Sequence, residues 1–146
     1  MKIVEGDLIH MALDGEFDVI VHGCNCQHKM GAGIAKQIRE EFPEAWEADM
    51  NFEPALGRIS WATIELPEHI LCVVNAYTQI GYGRGRHVKY FAVRECFRKV
   101  AKHFENLRVG YPLIGAGLGG GDWDTIAEII DEELDGMDHT LVEYGR

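Results

Sequence analysis

Two glycine-rich segments carry the most legible chemistry in this chain, Met30-Gly31-Ala32-Gly33-Ile34-Ala35 and Gly115-Ala116-Gly117-Leu118-Gly119-Gly120-Gly121. Each lies between an apolar run that reads as a strand and a periodic run that reads as a helix. Glycine lets the backbone come close to a ligand, and the helix that follows offers unpaired N–H groups and the positive end of its dipole. The matching ligand is an anion of pyrophosphate size. Two such loops in one short chain can grip an extended phosphate-containing molecule from two sides. Tight turns and helix caps are the competing reading of the same glycines.

The loops need elements to position them. Lys2 to Glu5 and Phe17 to His22 read as strands, the second as a near-continuous apolar run suited to a sheet interior. Gly31 to Phe42 reads as a helix and Pro43 to Met50 as another, with Pro in its first turn. Arg58 to Leu66 and Ile70 to Ala76 read as strands of one sheet joined by a turn at Pro67-Glu68-His69. From Val88 to Phe104 apolar residues recur at helical spacing. Arg108 to Ile114 is then a strand, Asp124 to Leu134 a helix opened by Asp122 or Asp124, and Thr140 to Tyr144 a last strand. This alternation predicts a three-layer α/β/α fold with a central mixed, mostly parallel sheet, organised as one domain over residues 1–146. Ligands of such sheets bind beyond the carboxyl ends of the strands, where both glycine loops emerge.

Gly115, Gly117 and Gly120 also meet the G-x-G-x-x-G spacing of dinucleotide-binding folds. That fold needs an acidic residue after a second strand and more sheet beyond it, whereas here one strand follows the loop. No G-x-x-x-x-G-K-[ST] segment is present. Composition narrows the partners further. The net charge of −10 opposes broad binding to nucleic acid, which draws its affinity from Lys and Arg on phosphates, but it tolerates a small anion held by backbone amides. No run matches a membrane span and the first residues lack a signal-peptide pattern, so a cytoplasmic protein is expected. Cys24, Cys26, Cys72 and Cys96 form no C-x-x-C or zinc-ligand series, and the histidines are scattered. No metal or cofactor is expected, and the cysteines read as reduced thiols.

The order of these motifs resembles the macrodomain family, whose members bind ADP-ribose. The resemblance runs through Val4-Glu5-Gly6-Asp7-Leu8, then Asp18 to Asn25 leading into Gly31 to Ala35, and finally Pro112 to Gly120. It implies that Asp7 holds the adenine amino group, with the backbone of Leu8 beside it, and that Asn25 orients the distal ribose. It implies that Gly31, Ala32, Gly33, Ile34 and Ala35 line that ribose. Gly115, Ala116, Gly117, Leu118, Gly119 and Gly120 would wrap the pyrophosphate, and Tyr144 would pack on adenine. Local alternatives are a helix cap for Asp7, an Asn-stabilised turn for Asn25 and a plain edge aromatic for Tyr144.

Two departures direct the reading of activity. His22 stands where many macrodomains have Asn, and Gly121, followed by Asp122-Trp123, stands where an aromatic residue is common. His22 within Ile20-Val21-His22-Gly23-Cys24-Asn25-Cys26 resembles the branch that acts as ADP-ribose 1''-phosphate phosphatases. A related branch that removes ADP-ribose from glutamate uses a lysine and an aspartate that this sequence lacks. On this resemblance His22 would serve as general base or as nucleophile, the loop N–H groups would stabilise the phosphoryl oxygens, and Asp122 would transfer a proton or orient His22. The alternatives are a buried, satisfied histidine for His22 and an N-cap for Asp122. At the level of function, the alternatives are a non-catalytic ADP-ribose-binding module or a hydrolase of mono-ADP-ribosyl groups or O-acetyl-ADP-ribose. The segment Tyr77 to His87, with Arg84 and Arg86, would close over the ligand or stand as a solvated loop.

Overall fold

The computed structural model describes residues 1–83, 85–117 and 119–144; the expectations placed on Arg84 and Leu118 lie outside the described residues. Six strands form one sheet: β1 (Lys2–Gly6), β2 (Val19–Asn25), β3 (Ile59–Glu65), β4 (Ile70–Gln79), β5 (Val109–Tyr111) and β6 (His139–Tyr144). Their order across the sheet is β1-β6-β5-β2-β4-β3. Every pairing is parallel except that of β3 with β4, which is the mixed, mostly parallel sheet expected. β2 is central, and Val19, Ile20 and Val21 are each fully buried, as a strand covered on both faces requires.

Helices α4 (Tyr90–His103) and α5 (Trp123–Glu133) cover one face. Val93, Phe97, Val100, Ile126 and Ile130 pack there against Val19, Val21, Val74 and Leu141. Helices α1 (Leu8–Leu13), α2 (Gly33–Glu41) and α3 (Pro43–Met50) cover the other face, where Leu8, Ala12, Ile38 and Phe42 meet Ile20, Val73 and Val142. The three layers follow from the alternation of side chains along each strand.

Three local differences from the sequence reading have physical causes. Helix α1 was not expected; it is six residues long and depends on Asp7, whose Oδ1 accepts the His10 N–H at 3.1 Å. Strand β5 stops at Tyr111 rather than Ile114, because Pro112 has no N–H to donate to a ladder and the chain then turns, Ile114 N donating to the Pro112 carbonyl at 2.7 Å. Strand β4 continues past Ala76 to Gln79, and β2 past His22 to Asn25, pairing with each other through Asn25 and Gln79. Among the described residues no helix is long and apolar enough to cross a membrane.

Candidate functional site

The carboxyl ends of the parallel strands open into one cavity of about 1250 Å³. From β1 to β4 it spans four inter-strand spacings, roughly 19 Å at ~4.8 Å each. That length suits an elongated ligand. Asp7 and Leu8 follow β1, and Glu143 and Tyr144 end β6, so these form one end. Asn25 to Ala35 follow β2, while Gln79 and Tyr82 end and follow β4, forming the other. Pro112 to Gly115, with Gly117, Gly119 and Gly120, cross the middle. Among the described lining residues the carboxylates Asp7 and Glu143 sit at the first end, and His28, Lys29 and Arg39 on the β2–α2 side at the second. The cavity is thus polarised: a hydrogen-bond-donating group suits the acidic end and phosphate suits the other.

Backbone amides supply most of the anion-binding capacity. Helix α2 starts after Ala32, which has no side chain able to cap it, so the N–H groups of Gly33, Ile34 and Ala35 are left for a ligand. Gly31, Ala32, Gly33, Ile34 and Ala35 all line the cavity. Of the second loop, Gly115, Gly117, Gly119 and Gly120 line it. Ala116 does not, packing instead against the core beneath α4 and α5. Gly115 has φ +73° and a Cβ there would stand 2.6 Å from Val88 Cγ2, so geometry and space both require glycine. The β4–α4 segment is pinned to this loop, the His87 and Val88 N–H groups both donating to the Gly119 carbonyl. Arg86 stacks on the Tyr90 ring, 4.6 Å from its centroid, rather than lining the cavity.

Asn25 lines the cavity, and its side chain also shapes the loop it belongs to. Oδ1 accepts the Gln27 and Lys29 N–H groups at 3.0 and 3.3 Å, and Nδ2 donates to the Lys29 carbonyl at 2.9 Å. Asp7 likewise lines the cavity and caps α1. Tyr144 lines it with 76% of its surface exposed.

The two residues expected to do catalysis, His22 and Asp122, are not among the residues that line the cavity. His22 has no exposed surface and is not among the lining residues. Its Nε2 lies 2.7 Å from Asn75 Oδ1. Both hydrogens of Asn75 Nδ2 are used, on the Ala45 carbonyl and on Ser60 Oγ, so Oδ1 is the acceptor and His22 Nε2 carries the proton. Burial pushes His22 down to about 4, outweighing the Asn75 hydrogen bond. At neutral pH it is an uncharged ring one step behind Cys24, the residue that does face the cavity. Cys24 is held well above the usual thiol range by burial first and by the Asp49 charge second, so it is a neutral thiol. Asp122 is exposed, lines nothing in the cavity and caps α5, accepting the Thr125 N–H at 3.2 Å and the Thr125 hydroxyl at 2.7 Å.

Beyond Asn75 the buried polar groups continue in one direction. Asn75 Nδ2 donates to Ser60 Oγ at 3.1 Å, Ser60 Oγ is 2.8 Å from the Tyr77 hydroxyl, and that hydroxyl donates to Asp49 Oδ1 at 2.8 Å. Asp49 is buried on α3, with His28 Nδ1 3.5 Å from the same oxygen. Sequence reasoning missed His28, Gln79, Arg39 and Trp46 as lining residues. The available signal for His28 was a run of polar residues, Gln27-His28-Lys29, between Asn25 and the first glycine loop. Among the described residues no cluster of His, Cys, Asp and Glu is arranged to hold a metal ion.

Comparison with known proteins adds the following. A sequence profile of the Macro domain family matches residues 21–130. The chain is 32% identical over 153 aligned positions, 99% of its own length and 96% of the relative's, to the uncharacterized 17.5 kDa protein in the tk-vs intergenic region of Enterobacteria phage T4. A shorter stretch of 43 positions, 30% of this chain and 20% of the relative, is 46% identical to the ADP-ribose 1''-phosphate phosphatase of Neosartorya fischeri. The fold superposes with a TM-score of 0.67 and 18% identity on the Trypanosoma brucei macrodomain solved in complex with ADP-ribose, covering 99% of this chain and 63% of that one.

Proposed function

The chain belongs to the macrodomain family, and from that premise we propose that it binds ADP-ribose along the strand ends and hydrolyses ADP-ribose 1''-phosphate to ADP-ribose and phosphate. The observation that carries the binding is the uncapped start of α2 facing the second glycine loop across one polarised cavity. In this reading adenine lies between Asp7 and Tyr144. The pyrophosphate lies on the amides of Gly33 to Ala35 and of the 115–120 loop, and the distal ribose reaches Asn25 at the β2–β4 end. Cavity-lining carboxylates at the adenine end accept from an exocyclic amine; amides and cations at the other end offset phosphate charge.

The reaction is supported by the His22 to Cys26 segment, which is like that of the phosphatase branch, and by the short stretch shared with a protein of that name. Hydrolysis of the 1''-phosphate needs water placed in line with the scissile P–O bond, hydrogen-bond donors on the phosphoryl oxygens and a proton for the departing sugar oxygen. The loop amides provide the second of these. A second reading, a module that binds ADP-ribose without turnover, is favoured by the interior placement of His22 and the capping role of Asp122.

The deciding experiment measures phosphate release from ADP-ribose 1''-phosphate and, on the same preparation, ADP-ribose affinity by calorimetry. Saturable release is the expected result. Binding without release would leave the module reading, and absence of both would refute the assignment of this cavity to ADP-ribose.

A further inference from the structure

Asp49 is a carboxylate with 1% of its surface exposed. Burial of such a group is costly unless donors or a cation meet it. The donors come from one side. Working back from Asp49, each hydrogen bond is oriented by the one before it: Tyr77 donates to Asp49, so Ser60 must donate to Tyr77 and accept from Asn75, which accepts from His22. Every proton in this row points toward Asp49, so the row stabilises its charge and takes no proton from it. The other side holds a basic ring, His28, with Nδ1 shielded from solvent and 3.5 Å from Asp49 Oδ1. That distance is an attraction and slightly too long for a hydrogen bond, a gap that catalytic pairs commonly close when ligand arrives.

The backbone around His28 fixes its position. Its φ of +57° is left-handed, a conformation uncommon for non-glycine residues and adopted by His more readily than by most. The bonds from Asn25 to Gln27 N and to both backbone groups of Lys29 grip the residues on either side of it. The ring lines the cavity at its ribose end with 31% of the side chain exposed. With Nδ1 turned inward to Asp49, the edge that meets the cavity is the one bearing Nε2.

We propose that His28, positioned by Asp49, faces the phosphate on the distal ribose and delivers the proton to the departing sugar oxygen. This rests on the phosphatase reading above. As the oxygen of water forms its bond to phosphorus, the bond from phosphorus to O1'' breaks and its electron pair stays on O1''. The imidazolium Nε2–H passes its proton to that oxygen. The phosphate is released carrying both protons of the attacking water, and one of them returns the ring to its charged form, so the sum is ester plus water to alcohol plus hydrogen phosphate. Asp49 acts through His28, keeping Nδ1–H directed inward and stabilising the charged ring. The other titratable groups facing this pair are His22, which burial keeps uncharged, Cys24 and Cys26 on the β2 side, Tyr77 on β4 and the neighbouring Lys29. Asp49 and burial hold the two thiols and the phenol above their ordinary ranges, so all three stay neutral across the working range of an imidazole.

The test uses the full chain with His28→Asn, His28→Gln and Asp49→Asn. Phosphate release by both His28 variants is expected to fall about 100-fold or more, with ADP-ribose affinity by calorimetry within about threefold of wild type. Asp49→Asn should lower release less and displace the alkaline limb of the pH–rate profile, where a proton-donating ring is lost, toward lower pH, a change that loosened packing alone would not produce. Release by His28→Asn at the wild-type rate overturns the proposal. If the wild-type protein releases no phosphate, the phosphatase reading falls, and His28 is judged by NMR titration of its ring. A ring pKa higher with ADP-ribose 1''-phosphate than with ADP-ribose keeps it as the residue facing that phosphate, and equal values overturn it.

Discussion

Acid should destabilise this protein through His22 in a manner that can be isolated. Burial lowers the folded-state value of His22 from the ordinary 6.5 to about 4, so between those two pH values the unfolded chain binds a proton that the folded chain refuses. Stability attached to this group is therefore complete above about pH 6.5 and is lost as pH falls toward 4. Linkage between the two values gives a loss of roughly 2 kcal/mol from pH 7 to pH 5, rising to about 3 kcal/mol by pH 4. Urea unfolding of the wild-type protein and of His22→Gln, measured from pH 7.5 to 4.5, separates this contribution from the rest. His139, which burial also lowers, and the surface carboxylates titrate in both proteins and cancel in the difference. The wild-type curve should fall more steeply, and the His22 ring resonances should not titrate above pH 5. Parallel stability curves, or ring signals that titrate near pH 6.5, would refute the burial argument and return His22 to the reckoning as a neutral-pH base.

Two further predictions follow from the loops and caps. Gly115→Ala places a methyl group at φ +73° and 2.6 Å from Val88 Cγ2, which should destabilise the fold by about 1–3 kcal/mol and abolish ADP-ribose binding in calorimetry; Gly117→Ala, where a Cβ meets nothing within 4 Å, should leave the melting temperature unchanged. Asp122→Ala removes the cap of α5 and should lower Tm by roughly 2–4 °C without altering ADP-ribose affinity or phosphate release, and a loss of release at unchanged Tm would restore Asp122 to the chemistry.

The legible part of this chain is the part written in local pattern. Apolar runs, proline stops and glycine clusters place ten of the eleven elements found among the described residues and bring both glycine loops to the carboxyl ends of the strands. Helix α1 escaped because six residues give too little periodicity to read. The interior placement of His22 had a visible cause. It shares a strand face with Ile20 and Cys24, in a strand buried on both sides, and a polar residue in phase with such a run faces inward. The pairing of His28 was illegible for a different reason, since the carboxylate that gives it meaning lies on α3 and no spacing along the chain connects the two.

The strand order also governs how the protein is made. Among the described residues β1 pairs only with β6, with Lys2 beside Thr140 and Gly6 beside Tyr144, so it can pair only once a strand far downstream in the sequence is available. Contacts this distant in sequence carry a high loop-closure cost and slow folding. Until β6 and β1 are in place the edge of the partly formed sheet is uncovered and open to association with other chains. The acidic end of the cavity, made by the residues at the tips of β1 and β6, is complete only when those two strands have paired, and a folding chain offers the whole cavity to a ligand only then.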